Sequence, residues 1–488
     1  MRILAIISVA AALATAAGFV EQSSSAAPRR PNIIFILTDD LSWNLVKYMP
    51  RLREMQAAGT TFSRFFVSDS LCCPSRATIF TGRYPHNTGV FTNGGLEGGF
   101  RRFHEAGLER ETFAMRLKSA GYTTALVGKY LNQYSPSAPV DGIPNYVPPG
   151  WDEWDVAGKA YTGFDYALNE NHRIRFYGNS PEDYATDVLA DKGVQFINRV
   201  AGGRKPFFLE IAPFAPHSPF TPAPRHELMY PRLKAPRTPA FNESDVTDKP
   251  KWLRKRKTLR KLQVSTIDQA FRKRAQSVRA IDELIGSLQD ALSARGQLAN
   301  TYIFFTSDNG LHMGEHRLAP GKQTAFETDI RVPLIVTGPG VQEGVKLEEL
   351  TSTIDLYPTF AHIGGASIPS ATVDGRSLLK LLAGPVTGWR KAVLVEHHGP
   401  DVTRGDPDFP GPFSGNPDSY NALRTNGSTY VEYSNGQLEY YNLKKDRFQL
   451  DNLGTRLPAR TRGNLHSQLL LLSLCQGQVS CWAAAGGR

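Results

Sequence analysis

The chain has 488 residues, 41% hydrophobic and 21% charged, a globular balance that excludes wholesale disorder. That length buries a large core and points to two domains. The net charge of +10 favours acidic or polyanionic partners, while the lack of zinc-finger spacings and RNA-binding aromatic motifs argues against nucleic acid.

Residues 1–27 read as an export signal and spacer. Arg2 precedes an apolar run over residues 3–20, Ala14-Thr15-Ala16 offers a small-residue cleavage site, and Ser23-Ser24-Ser25 opens a loose linker. Residues 3–20 are near the lower length limit for a span, so an uncleaved anchor is the other reading; no second stretch looks transmembrane, and no stable membrane span is expected after signal cleavage. The expected location is secreted or periplasmic, or lysosomal or extracellular in a eukaryote.

Residues 33–37 form a continuous apolar run suited to a buried strand, and it ends in Thr38-Asp39-Asp40. Next comes Leu71-Cys72-Cys73-Pro74-Ser75-Arg76, followed by Thr81-Gly82-Arg83. Pro74 suits the first turn of a helix and Gly82 its C-terminal cap. Cys72 and Arg76 then lie one turn apart on one face, beside helix-start N–H groups that attract an anion. Tyr84-Pro85-His86-Asn87 follows, in which His86 and Asn87 are candidate substrate-binding residues; a structural loop histidine is the other reading of His86.

Residues 123–127 lead to Gly128-Lys129, and residues 207–211 lead through Pro213 and Pro216 to His217. Between them residues 142–154 form a Pro/Gly-rich loop. The basic run from Lys249 to Arg260 reads as a solvated loop entering a helix. Residues 301–305 resemble the first strand and end in Thr306-Ser307-Asp308-Asn309-Gly310, with His312 and Lys322 beyond. Residues 332–336 look like a further core strand. Such runs separated by helical stretches predict an α/β fold, whose open sheet places ligands beyond the carboxyl ends of its strands. Asp39, Asp40, Asp308 and Asn309 offer hard oxygen donors, suited to Ca²⁺ or Mg²⁺ rather than to structural zinc.

From residue 386 the pattern changes to short strands at 392–396, 422–425, 429–433 and 438–443, with Asn426-Gly427 and Asn435-Gly436 as turns. Residues 401–417 are a Pro/Gly-rich loop able to shape a pocket, residues 465–474 suit a docked helix, and Cys475 with Cys481 can close a disulfide loop.

Cys72-x-Pro74-Ser75-Arg76 with Thr81-Gly82-Arg83 resembles the signature of the type I sulfatases. That resemblance implies an alkaline-phosphatase-like catalytic domain, a large mostly parallel sheet between helices, over residues 28–385. A smaller C-terminal α+β domain with an antiparallel sheet is expected over residues 386–488. It implies that Cys72 is oxidised by formylglycine-generating machinery to a formylglycine whose hydrate is the nucleophile; Cys73 falls at the variable position. Asp39, Asp40, Asp308 and Asn309, with the modified Cys72, would bind Ca²⁺. Arg76, Lys129 and Lys322 would hold the sulfate, and His217 would protonate the leaving oxygen. One departure stands out. Where many arylsulfatases read Lys-Trp-His, this chain reads Lys129-Tyr130-Leu131, which puts His312 forward as a substitute catalytic histidine. The blocks Gly128 to Asn132, Tyr84 to Asn87 and Pro216 to Pro219 are similar to the N-acetylglucosamine-6-sulfatase branch, implying a sulfated carbohydrate such as 6-sulfated glucosamine. A phosphate or phosphonate monoester hydrolase of the same superfamily, or a secreted polyanion-binding protein with a degenerate site, remain alternatives.

Overall fold

In the computed structural model, which describes residues 30–487, eleven strands build one large sheet. They are β1 (Asn32–Thr38), β2 (Thr60–Phe66), β3 (Thr123–Lys129), β4 (Glu153–Ala157), β5 (Tyr166–Glu170), β6 (Arg173–Tyr177), β7 (Phe207–Ala212), β8 (Thr301–Ser307), β9 (Arg331–Thr337), β10 (Val345–Leu347) and β11 (Thr351–Ser352). Their order is β10-β2-β9-β8-β1-β7-β3-β4-β5-β6, with β11 also on β2. The central strands β8, β1, β7, β3 and β4 are parallel, as expected. The sheet as a whole is mixed, because β9 runs antiparallel to β8 and β2, and β5 and β6 continue β4 as a meander. The expected export signal at 1–27 lies outside the described residues.

The apolar runs are continuous because both faces of the sheet are covered. Ile33, Phe35 and Leu37 face one cluster, where the Phe35 and Phe360 rings lie 5.1 Å apart and Phe80 and Phe113 complete the packing. Ile34 and Ile36 face the other, against Phe196 of the helix Ala185–Val200 and Phe271 and Ile285 of the helix Lys261–Ala294. Each such side chain, fully buried, contributes about 1.5–3 kcal/mol. The basic run enters the long helix as expected, but Lys249 is buried: its Nζ donates to the Leu450 carbonyl at 2.5 Å and pairs with Glu243 at 3.3 Å.

A second sheet is antiparallel throughout, in the order β12 (Ala392–His397), β13 (Tyr420–Thr425), β14 (Ser428–Tyr433) and β15 (Leu438–Asn442). Val393, Val395 and Ala422 join the core shared with Ile33, while Leu394 and Leu423 pack on Leu469 and Leu472 of the helix Ala459–Ser473. The expected disulfide joins Cys475 and Cys481. The second sheet, which begins at Ala392, therefore shares a continuous core with the first. Among the described residues no helix is long and apolar enough to cross a membrane.

Candidate active site

Parallel pairing aims several strand ends at one point. β1 and β8 stay in register to Thr38↔Ser307, so Asp39-Asp40 and Asp308-Asn309 leave the sheet side by side. Asp308 Oδ1 accepts the N–H groups of Asp40 (3.2 Å) and Asn309 (2.8 Å), locking the two ends together. Lys129 is the last residue of β3. Before it, Gly128 has φ +119°, and a Cβ there would stand 2.2 Å from the Ala212 carbonyl oxygen of β7. Only glycine lets those strands pair up to the lysine.

The helix Cys72–Thr81 starts against these ends and stops at Gly82, whose φ of 68° makes the left-handed cap. Ser75 Oγ donates to the Asp308 carbonyl at 2.5 Å, Arg76 Nε donates to Asp308 Oδ2 at 2.8 Å, and Arg76 Nη1 donates to the Lys129 carbonyl at 3.1 Å. Cys72 Sγ thereby lies 3.2 Å from Asp39 Oδ1 and 2.9 Å from Lys322 Nζ. Lys129 Nζ meets Asp39 Oδ2 at 2.7 Å, and Lys322 Nζ meets Asp40 Oδ1 at 2.7 Å. His217, carried past the end of β7, brings Nε2 to 3.7 Å from Asp40 Oδ2. The structure thus gathers Asp39, Asp40, Cys72, Arg76, Lys129, His217, Asp308, Asn309 and Lys322.

All of these groups are buried, so their charges are held by one another. Burial would raise the Asp39 carboxyl, but Lys129 and His217 outweigh it and hold it below the usual range. Burial opposes the charged lysines, yet Asp39 beside Lys129 and Asp40 beside Lys322 keep both ammonium groups well above their ordinary pKa. Burial, then the carboxylates of Asp308 and Asp39, push the Cys72 thiol well up, so it does not form a thiolate at neutral pH. His217 has both ring nitrogens on oxygens, Nδ1 on the Ser218 carbonyl at 2.7 Å and Nε2 on Asp408 at 2.6 Å. Burial disfavours its charge, but Asp408, Asp39 and Asp40 prevail and its pKa stands at about 9.

One ligand atom each from Asp39, Asp40, Cys72 and His217 lie within 4.8 Å of one another, a group able to hold a metal ion. Asp308 and Asn309 border it. Asn309 Nδ2 donates to Asp40 Oδ1 at 2.6 Å, while its buried Oδ1 has no hydrogen-bond partner and remains available as a ligand. Hard oxygens dominate this set, and they fit a hard divalent cation.

Three expected site residues are not brought into this cluster. His86 Nδ1 meets Glu396 Oε2 at 2.9 Å and its Nε2 meets the Cys475 carbonyl at 2.8 Å. Asn87 Nδ2 donates to Asp374 Oδ2 and to the same carbonyl. Both tie the Tyr84 turn to the disulfide loop. His312 is fixed between Asp329 at 2.9 Å and the Ser414 carbonyl at 2.8 Å, and its backbone bridges to Gly321, next to Lys322. Leu131, where the missing histidine would stand, belongs to the hydrophobic core.

Sequence reasoning missed Asp408. Its Oδ1 accepts from His217 at 2.6 Å and from Lys322 at 2.7 Å, and its Oδ2 accepts from Asn93 at 2.7 Å. The only signal was the Pro/Gly-rich character of residues 401–417, which now form a strap over the site. It also missed Arg274, buried on the long helix, which donates to the Asp40 carbonyl.

Residues 31–366 match the family described as Sulfatase, and residues 314–470 match the C-terminal region of N-sulphoglucosamine sulphohydrolase. The N-acetylglucosamine-6-sulfatase of Homo sapiens is 37% identical over 481 residues, covering 93% of this chain and 86% of that protein. The extracellular sulfatase SULF-1 homologue of Drosophila melanogaster is 34% identical, over 78% of this chain and 34% of that protein. A solved protein in complex with its substrate D-glucosamine-2-N,6-O-disulfate superposes with a TM-score of 0.73 at 25% identity, covering 91% of this chain and 97% of the other.

Proposed function

The chain belongs to the sulfatase family and is a sulfuric ester hydrolase, and we propose that it removes the 6-O-sulfate from N-acetylglucosamine residues of a sulfated glycan. The named activity of the human relative and the glucosamine disulfate held by the structural neighbour support that substrate. The observation that carries the reaction type is Cys72 Sγ set between Lys322 Nζ and Asp39 Oδ1, with Arg76, Lys129 and His217 around it. An exported enzyme fits the reading of residues 1–27 and the extracellular name of the Drosophila relative.

A hydrated formylglycine, made from Cys72 by host maturation machinery, supplies the attacking hydroxyl that the buried thiol cannot. A bound Ca²⁺ on Asp39, Asp40, Asp308 and Asn309 supplies charge neutralisation and orientation of the sulfate. The protein's own groups do the rest. Arg76, Lys129 and Lys322 hold sulfate oxygens in a site already organised before substrate arrives, so little reorganisation is needed as charge develops. Asp39 and Asp40 keep the two lysines charged and fixed. His217, protonated on both nitrogens, gives its Nε2 proton to the departing sugar oxygen.

His217→Asn is therefore expected to slow a sugar sulfate by roughly 10²–10⁴-fold. An aryl sulfate, whose phenolate leaves without help, should lose far less. Comparing kcat on the two substrates checks this, and equal losses would remove His217 from the leaving-group role. Asp408→Asn should act in the opposite sense on anion binding. The native carboxylate competes with a sulfate for Lys322 and His217, so the inhibition constant of inorganic sulfate should fall about tenfold, or about 1.4 kcal/mol. An unchanged or higher constant would contradict this.

The substrate reading is tested with glucosamine sulfated singly at O6, O3 or N, beside a matched 6-phosphate. Selective turnover of the 6-sulfate is expected. Preference for the phosphate would favour the monoester-hydrolase alternative.

A further inference from the structure

Tyr161 stands against two of the catalytic cations at once. Lys129 Nζ lies over its ring, 5.1 Å from the centroid, and the His217 ring packs on it at 4.5 Å with an interplanar angle of 49°. Lys129 ends β3 and His217 follows β7, so one side chain braces groups delivered by two strands. Tyr161 itself belongs to the connection between β4 and β5. There the Gly163 N–H donates to the Ala160 carbonyl at 3.0 Å, and the Ala185 N–H donates to the Gly163 carbonyl at 2.8 Å, which pins the segment to the helix Ala185–Val200. Phe214 fixes the tyrosine ring further, in a T-shaped contact at 5.0 Å.

Hydrogen bonds alone leave both cations free to turn. His217 has Nδ1 on the Ser218 carbonyl and Nε2 on Asp408, and a ring held through those two atoms rolls about the line that joins them. A packed face stops the roll. Lys129 Nζ donates to Asp39 Oδ2 at 2.7 Å, a contact that fixes its distance but not its direction. An aromatic face attracts a cation, and does so most strongly where water is excluded; both His217 and Lys129 are buried.

We propose that Tyr161 is a positioning residue that aims Lys129 at the sulfate and His217 at the departing sugar oxygen, through the shape and negative charge of its ring face rather than through its hydroxyl. The inference rests on the roles given above to Lys129 and His217.

The test measures kcat and KM of Tyr161→Leu and Tyr161→Phe, beside His217→Asn, on 6-sulfated N-acetylglucosamine and on an aryl sulfate. Tyr161→Leu should lower kcat about tenfold on the sugar sulfate and no more than about twofold on the aryl sulfate, whose leaving group needs no proton. KM should rise severalfold on both, because both present the same sulfate to Lys129. Tyr161→Phe keeps the ring and should restore the ratio of the two kcat values to within about twofold of the wild type. Phenylalanines fluorinated stepwise around the ring keep its shape but drain charge from its face; placed at position 161, they should lower kcat on the sugar sulfate step by step. Equal kcat losses on both substrates in Tyr161→Leu, with His217→Asn still selective for the sugar, overturn the positioning role alone. A fluorination series without a trend overturns it as well, in proteins whose packing is undisturbed. Equal losses in His217→Asn overturn the leaving-group reading, and this inference with it.

Discussion

Replacing Cys72 by alanine is expected to lower sulfate-ester turnover on the order of 10⁴-fold or more, because it removes the precursor of the proposed nucleophile. The fold should survive. Cys72 is fully buried on a helix, and losing one sulfur there costs on the order of 1 kcal/mol. Cys72→Ser tests the same point more narrowly, since serine keeps size and polarity but is not a substrate for machinery that requires a cysteine. Cys73 is the internal control. It is equally buried but packs in the core with Phe80 and Tyr130, so Cys73→Ala should shift the thermal midpoint and leave turnover largely in place. Aryl-sulfate kinetics with a thermal melt of each variant checks the pair. Comparable activity of Cys72→Ala and the wild type would sink the mechanism.

The second large effect is expected at Asp40. Its φ of 66° lies in the left-handed region, which asparagine tolerates as well as aspartate, so Asp40→Asn preserves the backbone and reads out charge alone. That charge faces Lys322 at 2.7 Å and His217 at 3.7 Å and is one of the four oxygen ligands proposed for Ca²⁺. The expected loss is roughly 10²–10³-fold in kcat/KM, the scale seen when one electrostatic element of a preorganised site is removed. Metal binding also has a readout independent of turnover. Ca²⁺ at a hundredfold excess over its dissociation constant should stabilise the wild type by about 2.7 kcal/mol against thermal unfolding. Asp40→Asn should lose most of that gain, and Mg²⁺ should reproduce it poorly. A melting curve indifferent to Ca²⁺ would remove the metal from the account.

The parts legible in the sequence were those in which local pattern and topology agree. Residues 33–37 and 301–305 are apolar without interruption because the strands they form are covered on both faces, and parallel strands must deliver their following residues to one edge. The oxygen-rich ends Asp39-Asp40 and Asp308-Asn309 could therefore be read as one site before any geometry was known. The helix at Cys72 was legible for the same reason, since its start and its Gly82 cap are both local signals.

What escaped was fixed by partners far along the chain. His86 has a motif-like setting, yet Glu396 and the Cys475 carbonyl engage both of its ring nitrogens, contacts 310 and 389 residues away. His312 follows a ligand strand closely enough to suggest catalysis, but Asp329 and the strap occupy both its nitrogens, leaving it to support the turn at Gly321-Lys322. Asp408 carries no local signal beyond its prolines, because its reach into the site depends on the path of the strap rather than on its neighbours. The direction of β9 was equally hidden: an apolar run states that a strand is buried, not which way it runs.

The proposed chemistry depends most directly on the chemical identity of residue 72 in the mature enzyme. The tryptic peptide spanning residues 65–76 contains both Cys72 and Cys73, and fragmentation mass spectrometry of protein from its native host separates them. The expected mass is about 18 Da below that of the unmodified peptide, with the change located at Cys72 and an intact thiol at Cys73. A peptide carrying two unmodified thiols, from protein that still hydrolyses sulfate esters, would contradict it.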